Sequence, residues 1–229
     1  MLLVRGIITW LFALTLLGGG LAKAEEFCDP WVPPPPKVQP SKPPSAPAPP
    51  RPEEFWVIRG GTTGPEIVLL GDSLTTPNFG QTVSRLLGDR QYAIYALGGR
   101  AAETLSDLFD DHDLPPDAVG IIWIGRNNNP ADVDVVLHSI ERAAARFASG
   151  KYLVLNVLSG RNADEQPGGG KRVKMDALNE AIATAYGDRV IAVRPLVACT
   201  DFEDHIHLLK PAQDKVAQAV SEAVRARGW

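Results

Sequence analysis

From Phe55 to the C-terminus the chain alternates short apolar runs rich in Val and Ile with longer segments whose apolar positions follow the helical period. A short run that is apolar at nearly every position reads as a strand buried on both faces, and the longer segments read as the helices that cover it. Five strands are expected, at Glu66 to Leu70, Tyr92 to Leu97, Ala118 to Ile124, Tyr152 to Leu158 and Arg189 to Val193. The helices between and after them are expected at Phe79 to Leu87, Ala102 to Phe109, Ala131 to Ala148, Val173 to Tyr186 and Pro211 to Arg227. Pro211 suits a first helical turn, where its missing N–H leaves no bond unmade. Repeated β–α units with right-handed crossovers build an open α/β/α sandwich, here three layers around a five-stranded parallel sheet.

Such sheets bind ligands beyond the carboxyl ends of their strands. The polar residues with chemical potential fall there: Asp72 and Ser73 after the first strand, Gly98 and Gly99 after the second, Gly125 to Asn128 after the third, and Asp204 and His207 after the fifth. Four loops are thus expected to converge on one rim.

The N-terminal pattern differs. Residues 1–24 have the layout of a secretory signal: Arg5, an apolar run from Ile7 to Leu17, three glycines, and the small-x-small site Ala22-Lys23-Ala24, with cleavage expected after Ala24. A retained anchor is the competing reading, because Met1 to Leu21 approaches the ~20 residues that span a bilayer. Residues 25–54 are rich in proline, including Pro33 to Pro36, and are expected to form a linker without helix or sheet. The α/β domain is then 55–229, and a periplasmic or secreted location is expected, with no stable membrane insertion once the signal is cleaved.

With 229 residues and 45% hydrophobic content the chain can bury one full core. A formal net charge of −4 argues against a nucleic-acid partner, which needs a basic surface to displace counterions. The two cysteines, Cys28 and Cys199, are an even pair in an oxidising compartment and so a disulfide candidate that would pin the segment ahead of Asp204 and His207.

Ser73, at the point where a buried strand turns toward a helix, would present its hydroxyl at the sheet edge; the competing role for such a serine is to cap the helix. A serine hydroxyl becomes a nucleophile when a base accepts its proton, and His207 supplies one. Asp204, three residues earlier, can hold the imidazole at Nδ1, leaving Nε2 for Ser73; the competing role for Asp204 is to cap the last helix. His112, His138 and His205 lack such a carboxylate and are expected on the surface. Donors for a developing oxyanion are the Ser73 N–H, the Gly99 N–H and the side-chain amide of Asn127. Gly168-Gly169-Gly170-Lys171 lacks the pattern of a P-loop, Gly-x-Ser-x-Gly is absent around Ser73, and Cys and His spacings give no metal site.

Four short blocks in order resemble the SGNH hydrolases, or GDSL esterases and lipases: Gly71-Asp72-Ser73-Leu74, the glycine within Leu97-Gly98-Gly99-Arg100, Gly125-Arg126-Asn127-Asn128, and Asp204 to His207. The resemblance implies a flavodoxin-like sandwich and metal-independent, cofactor-free hydrolysis of acyl esters or acylated sugars, with Ser73, Gly99, Asn127 and His207 as the namesake residues. It covers Ile67 to about Ala219. Asn128 stands where the family pattern has aspartate, and the second block is too short to separate Gly98 from Gly99. An acyltransferase with the same triad and an inert glycan-binding or scaffolding module are the alternative functions.

Overall fold

The computed structural model describes residues 56–229 together with Cys28. The expected signal segment 1–24 and, Cys28 excepted, the expected linker 25–54 lie outside the described residues.

The elements run β1 (Trp56–Gly60), β2 (Thr63–Gly71), α1 (Pro77–Leu86), β3 (Arg90–Ala96), α2 (Ala102–Asp110), β4 (Val119–Trp123), α3 (Val133–Ala145), β5 (Tyr152–Leu155), α4 (Gly170–Tyr186), β6 (Val190–Ile191) and α5 (Lys210–Ala226). The sheet order is β1-β3-β2-β4-β5-β6. The five strands β2 to β6 are parallel and correspond to the five apolar runs. Their order makes the sheet a doubly wound, flavodoxin-like one whose direction of growth reverses at β2.

One strand has no counterpart among the five expected. β1 adds antiparallel to the outer edge of β3, from Trp56 opposite Ala96 to Gly60 opposite Tyr92. It is held by more than its ladder, because Arg59 donates to Glu66 Oε1 (2.9 Å) and to the Tyr95 hydroxyl (2.9 Å). Glu66 is buried, so an edge strand that brings a cation satisfies a charge the sheet would otherwise leave unpaired. The turn into β2 needs glycine at Gly61, whose φ is +71° and where a Cβ would fall 2.0 Å from the Arg90 carbonyl.

Side chains alternate across the sheet and divide the core in two. Ile67, Leu69, Ile121 and Leu153 pack against Phe79 and Val83 of α1 and Val216 and Val220 of α5. Val68, Leu70, Ile122 and Val154 pack against Leu105 and Phe109 of α2, Val136 and Ile140 of α3, and Met175 and Leu178 of α4. α3 stops short of the expected Ala148, and the Phe147 ring beyond its end occupies the space that a Cβ on Gly120 would need. β6 is shorter than the expected strand because the chain turns over Arg194–Leu196, which contains Pro195.

Candidate active site

Ser73 sits two residues past the end of β2, at the strand where sheet growth reverses. The turn is tight: Leu74 N–H donates to Asp72 Oδ1 at 3.0 Å and Thr75 N–H to the Asp72 carbonyl at 3.0 Å. It closes only with glycine at Gly71, where a Cβ would lie 1.8 Å from Thr75 Oγ1. The cap of α1 is Thr76, whose hydroxyl accepts from Phe79 N–H at 3.2 Å, with Pro77 opening the helix. Ser73 is therefore not engaged in capping, and its hydroxyl stands half-buried at the rim.

His207 belongs to a loop closed on itself. An antiparallel bridge joins Phe202 to Leu208, and Glu203 N–H donates to the His207 carbonyl at 2.8 Å. Asp204 organises the interior of this loop: Oδ1 accepts from the N–H groups of Ile206 (2.6 Å) and His207 (2.7 Å), and Oδ2 lies 2.7 Å from His207 Nδ1. The residue at the start of α5 is Leu209, so Asp204 does not cap that helix. On the other side of the ring, Nε2 lies 2.9 Å from Ser73 Oγ. An ionised carboxylate only accepts, which assigns the proton to Nδ1 and leaves Nε2 as acceptor for the Ser73 hydroxyl in the neutral ring. Partial burial pushes the Asp204 carboxyl up, but the hydrogen bonds from the His207 ring and from the His207 and Ile206 N–H groups outweigh it and hold it at about 2.

The remaining predicted residues meet at the same rim. The Ser73 and Gly99 N–H groups make no hydrogen bond within the described residues. The two glycines of the second block differ in what they require. Gly98 lies against Ser73, with a Cβ there 3.5 Å from the Ser73 Cβ, whereas Gly99 has φ of +75° and open space around it. Asn127 is exposed, and its Nδ2 donates to the Arg100 carbonyl (3.1 Å) and to Asp72 Oδ2 (3.3 Å). Both hydrogens of that amide are thus engaged.

Asp72, Asn128 and Cys28 give the site its support. Asp72 is 1% exposed. Burial pushes its carboxyl up to about 6, against the opposing pull of the Leu74 N–H, Arg126 and His207. Asn128 Oδ1 accepts from Ala102 N–H at 2.8 Å, and its Nδ2 donates to Glu103 Oε2 at 2.8 Å, so this side chain ties the Asn127 loop to the start of α2. Cys28 and Cys199 are joined by a disulfide, with Cα atoms 5.2 Å apart, and the Cys28 N–H donates to Gln166 Oε1 at 2.8 Å. His112 packs on the Tyr95 ring and His138 lies 3.9 Å from Glu141, both away from Ser73. His205 lies in the His207 loop, where its carbonyl accepts from Arg161 N–H at 2.7 Å. A cleft of ≈ 420 Å³ runs along the loop after Asn127, lined by Asn128, Asn129, Pro130, Asp164, Lys171 and Lys174.

No protein-family model matches the chain, and no curated protein matches its sequence significantly. Solved structures do. A member of the lipolytic protein G-D-S-L family from Veillonella parvula superposes with a TM-score of 0.54 at 16% identity, over 69% of this chain and 97% of that one. A carbohydrate acetylesterase from Sinorhizobium meliloti gives 0.51 at 20% identity, over 72% and 100%. An acetylxylan esterase from Geobacillus stearothermophilus gives 0.53 at 13% identity, over 71% and 94%. The α/β/α sandwich that carries Ser73 and His207 on its rim is accordingly the SGNH, or GDSL, hydrolase fold.

Proposed function

We propose that the chain is a carboxylic ester hydrolase of the SGNH type, with Ser73 as nucleophile, His207 as base and Asp204 as the carboxylate that orients it. The observation that carries this reading is the continuous hydrogen-bonded line from Asp204 Oδ2 through His207 to Ser73 Oγ, with steps of 2.7 and 2.9 Å. The likeness to esterase structures supports it.

In this mechanism Ser73 Oγ attacks the ester carbonyl carbon while its proton passes to His207 Nε2. Asp204 stays ionised and stabilises the imidazolium. The carbonyl oxygen, now an anion, is met by the N–H groups of Ser73 and Gly99 and by the Asn127 amide, which turns one hydrogen from the Arg100 carbonyl to the new acceptor; one such donor is typically worth about 3 kcal/mol of barrier. Collapse expels the alcohol with the proton from His207. Water, deprotonated by His207, then cleaves the acyl-enzyme to give the free acid and restores Ser73.

O-acetyl groups on glycans are the substrate class we favour. Two of the similar structures act on acetylated carbohydrates by their names, and the cleft beside Asn127 is lined by amides and charged groups that suit a hydroxylated saccharide. The Cys28–Cys199 disulfide supports export, since such bonds persist in oxidising compartments. A fluorophosphonate probe should label Ser73 alone, and acetate should be released from acetylated xylan faster than acyl groups from long-chain esters. Absence of label at Ser73 contradicts the nucleophile, and a preference for long chains contradicts the glycan assignment.

A further inference from the structure

Beneath the rim lies a carboxylate that the mechanism does not use. Glu165 is completely buried in the loop between β5 and α4. Arg126, the residue before Asn127, donates to both of its oxygens through Nη2, at 3.0 and 2.8 Å. Gly160 N–H donates at 2.7 Å, Lys171 Nζ at 2.6 Å and Asn162 Nδ2 at 3.1 Å. Burial alone would keep such a carboxyl neutral, but Arg126, Lys171 and the Gly160 and Asn162 donors outweigh it and lower its pKa.

The partners of Glu165 lead to both halves of the site. Arg126 is covalently next to Asn127. Gly160 lies flat against the His207 loop: a Cβ there would fall 2.1 Å from the His205 carbonyl, which also accepts from Arg161 N–H at 2.7 Å. The adjacent Gln166 extends the contact to the disulfide, donating to the Gly160 carbonyl at 2.8 Å and accepting from Cys28 N–H. One buried anion therefore joins the loop of the proposed oxyanion donor to the loop of the proposed base.

We propose that Glu165 is a positioning residue: its carboxylate fixes the separation between Asn127 and His207. The proposal rests on the hydrolase reading for its catalytic consequence. A fully buried anion with this many charge-assisted donors is a rigid node, because its own oxygens have no access to water that could replace a lost donor. Its charge also balances Arg126, one of the two cations whose field reaches Asp72, the other being His207 when protonated.

The test compares the full chain with Glu165→Gln in two measurements: kinetics on p-nitrophenyl acetate, and amide hydrogen exchange in residues 125–129 and 203–207. The glutamine keeps the shape and an acceptor for Gly160 but removes the charge that holds Arg126. The expected result is a kcat loss of roughly 10- to 100-fold with KM changed less than about twofold, the split that marks misplaced reacting groups rather than lost binding. The acid limb of the pH profile should move to lower pH, since Arg126 without its counter-charge favours the ionised form of Asp72, and exchange should rise in both loops together. Removing one partner of a buried pair can unfold a protein, so Arg126→Met/Glu165→Leu, which removes both charges at once, is measured beside it and is expected to fold with the same kcat loss. Parent-like kcat in either folded variant, or exchange unchanged in both loops, overturns the proposal. An inactive parent would sink the hydrolase reading instead, and the exchange comparison would still decide whether Glu165 couples the loops.

Discussion

His207 Nε2 lies 2.9 Å from Ser73 Oγ across 134 residues of sequence. The contact follows from helix packing. α1 begins just after Ser73 and α5 just after His207, and both cover the same face of the sheet. Polar ties fix their relative height: the Thr76 hydroxyl donates to Gln213 Oε1 at 2.7 Å and the Thr82 hydroxyl to Asp214 Oδ1 at 2.9 Å. With the helices locked, the two loops that precede them meet at one point of the rim.

Acidity should act on this site twice. His207 must be neutral to accept the Ser73 proton, and Asp72, with its carboxyl at about 6, must be ionised to hold the Asn127 amide well. The acid limb of kcat/KM is therefore expected to be steeper in the parent than in Asp72→Asn, which removes the Asp72 protonation. A limb of equal steepness in both proteins would contradict a role for Asp72. The sign for stability is separate: a raised carboxyl favours the folded chain below the unfolded value of ~3.9 and loses that contribution as pH rises through about 6.

Asn128 is the one departure from the family pattern that the structure explains. Its amide donates to Glu103, and an aspartate there would set two carboxylates face to face. Asn128→Asp should lower stability by about 0.5–1.5 kcal/mol through the lost hydrogen bond, and adding Glu103→Gln should recover most of it. Thermal denaturation of the two variants checks this, and a fully stable single variant would contradict it.

Much of this arrangement was legible in the sequence, and the limits have physical causes. The inner parts of strands β2 to β5 are buried on both faces and so announce themselves as continuous apolar runs, and the half-buried β6 still shows as a short one; the edge strand β1 exposes Val57 and Arg59, and the charge on Glu66 that it pairs is visible only in space. The positions of Ser73, Asp204 and His207 could be read because spacing and strand ends constrain them. Asp72 was seen as a polar residue on the rim, but its bond to Asn127 spans 55 residues and leaves no local signal. Glu165 was missed entirely. It lies in the polar stretch Arg161 to Gly170, which reads as an exposed loop, and its burial depends on Arg126 arriving from 39 residues away.

Reduction of the disulfide should loosen the chain ahead of the His207 loop. Cys28 and Cys199 are 171 residues apart, so the bond restrains a long loop in the unfolded chain, and its loss is expected to cost about 2–5 kcal/mol of stability. Denaturant unfolding of Cys28→Ser/Cys199→Ser against the parent measures this. Equal midpoints would show that the bond contributes nothing.

The central claim is that Ser73 carries out the chemistry. Its most direct test is the rate of p-nitrophenyl acetate hydrolysis by purified parent and Ser73→Ala protein, with circular dichroism to establish that both are folded. The substitution removes one hydroxyl from a half-buried rim position, so the fold should persist while kcat/KM falls by roughly 10³-fold or more. A folded Ser73→Ala protein that hydrolyses the ester at the parent rate would contradict the account.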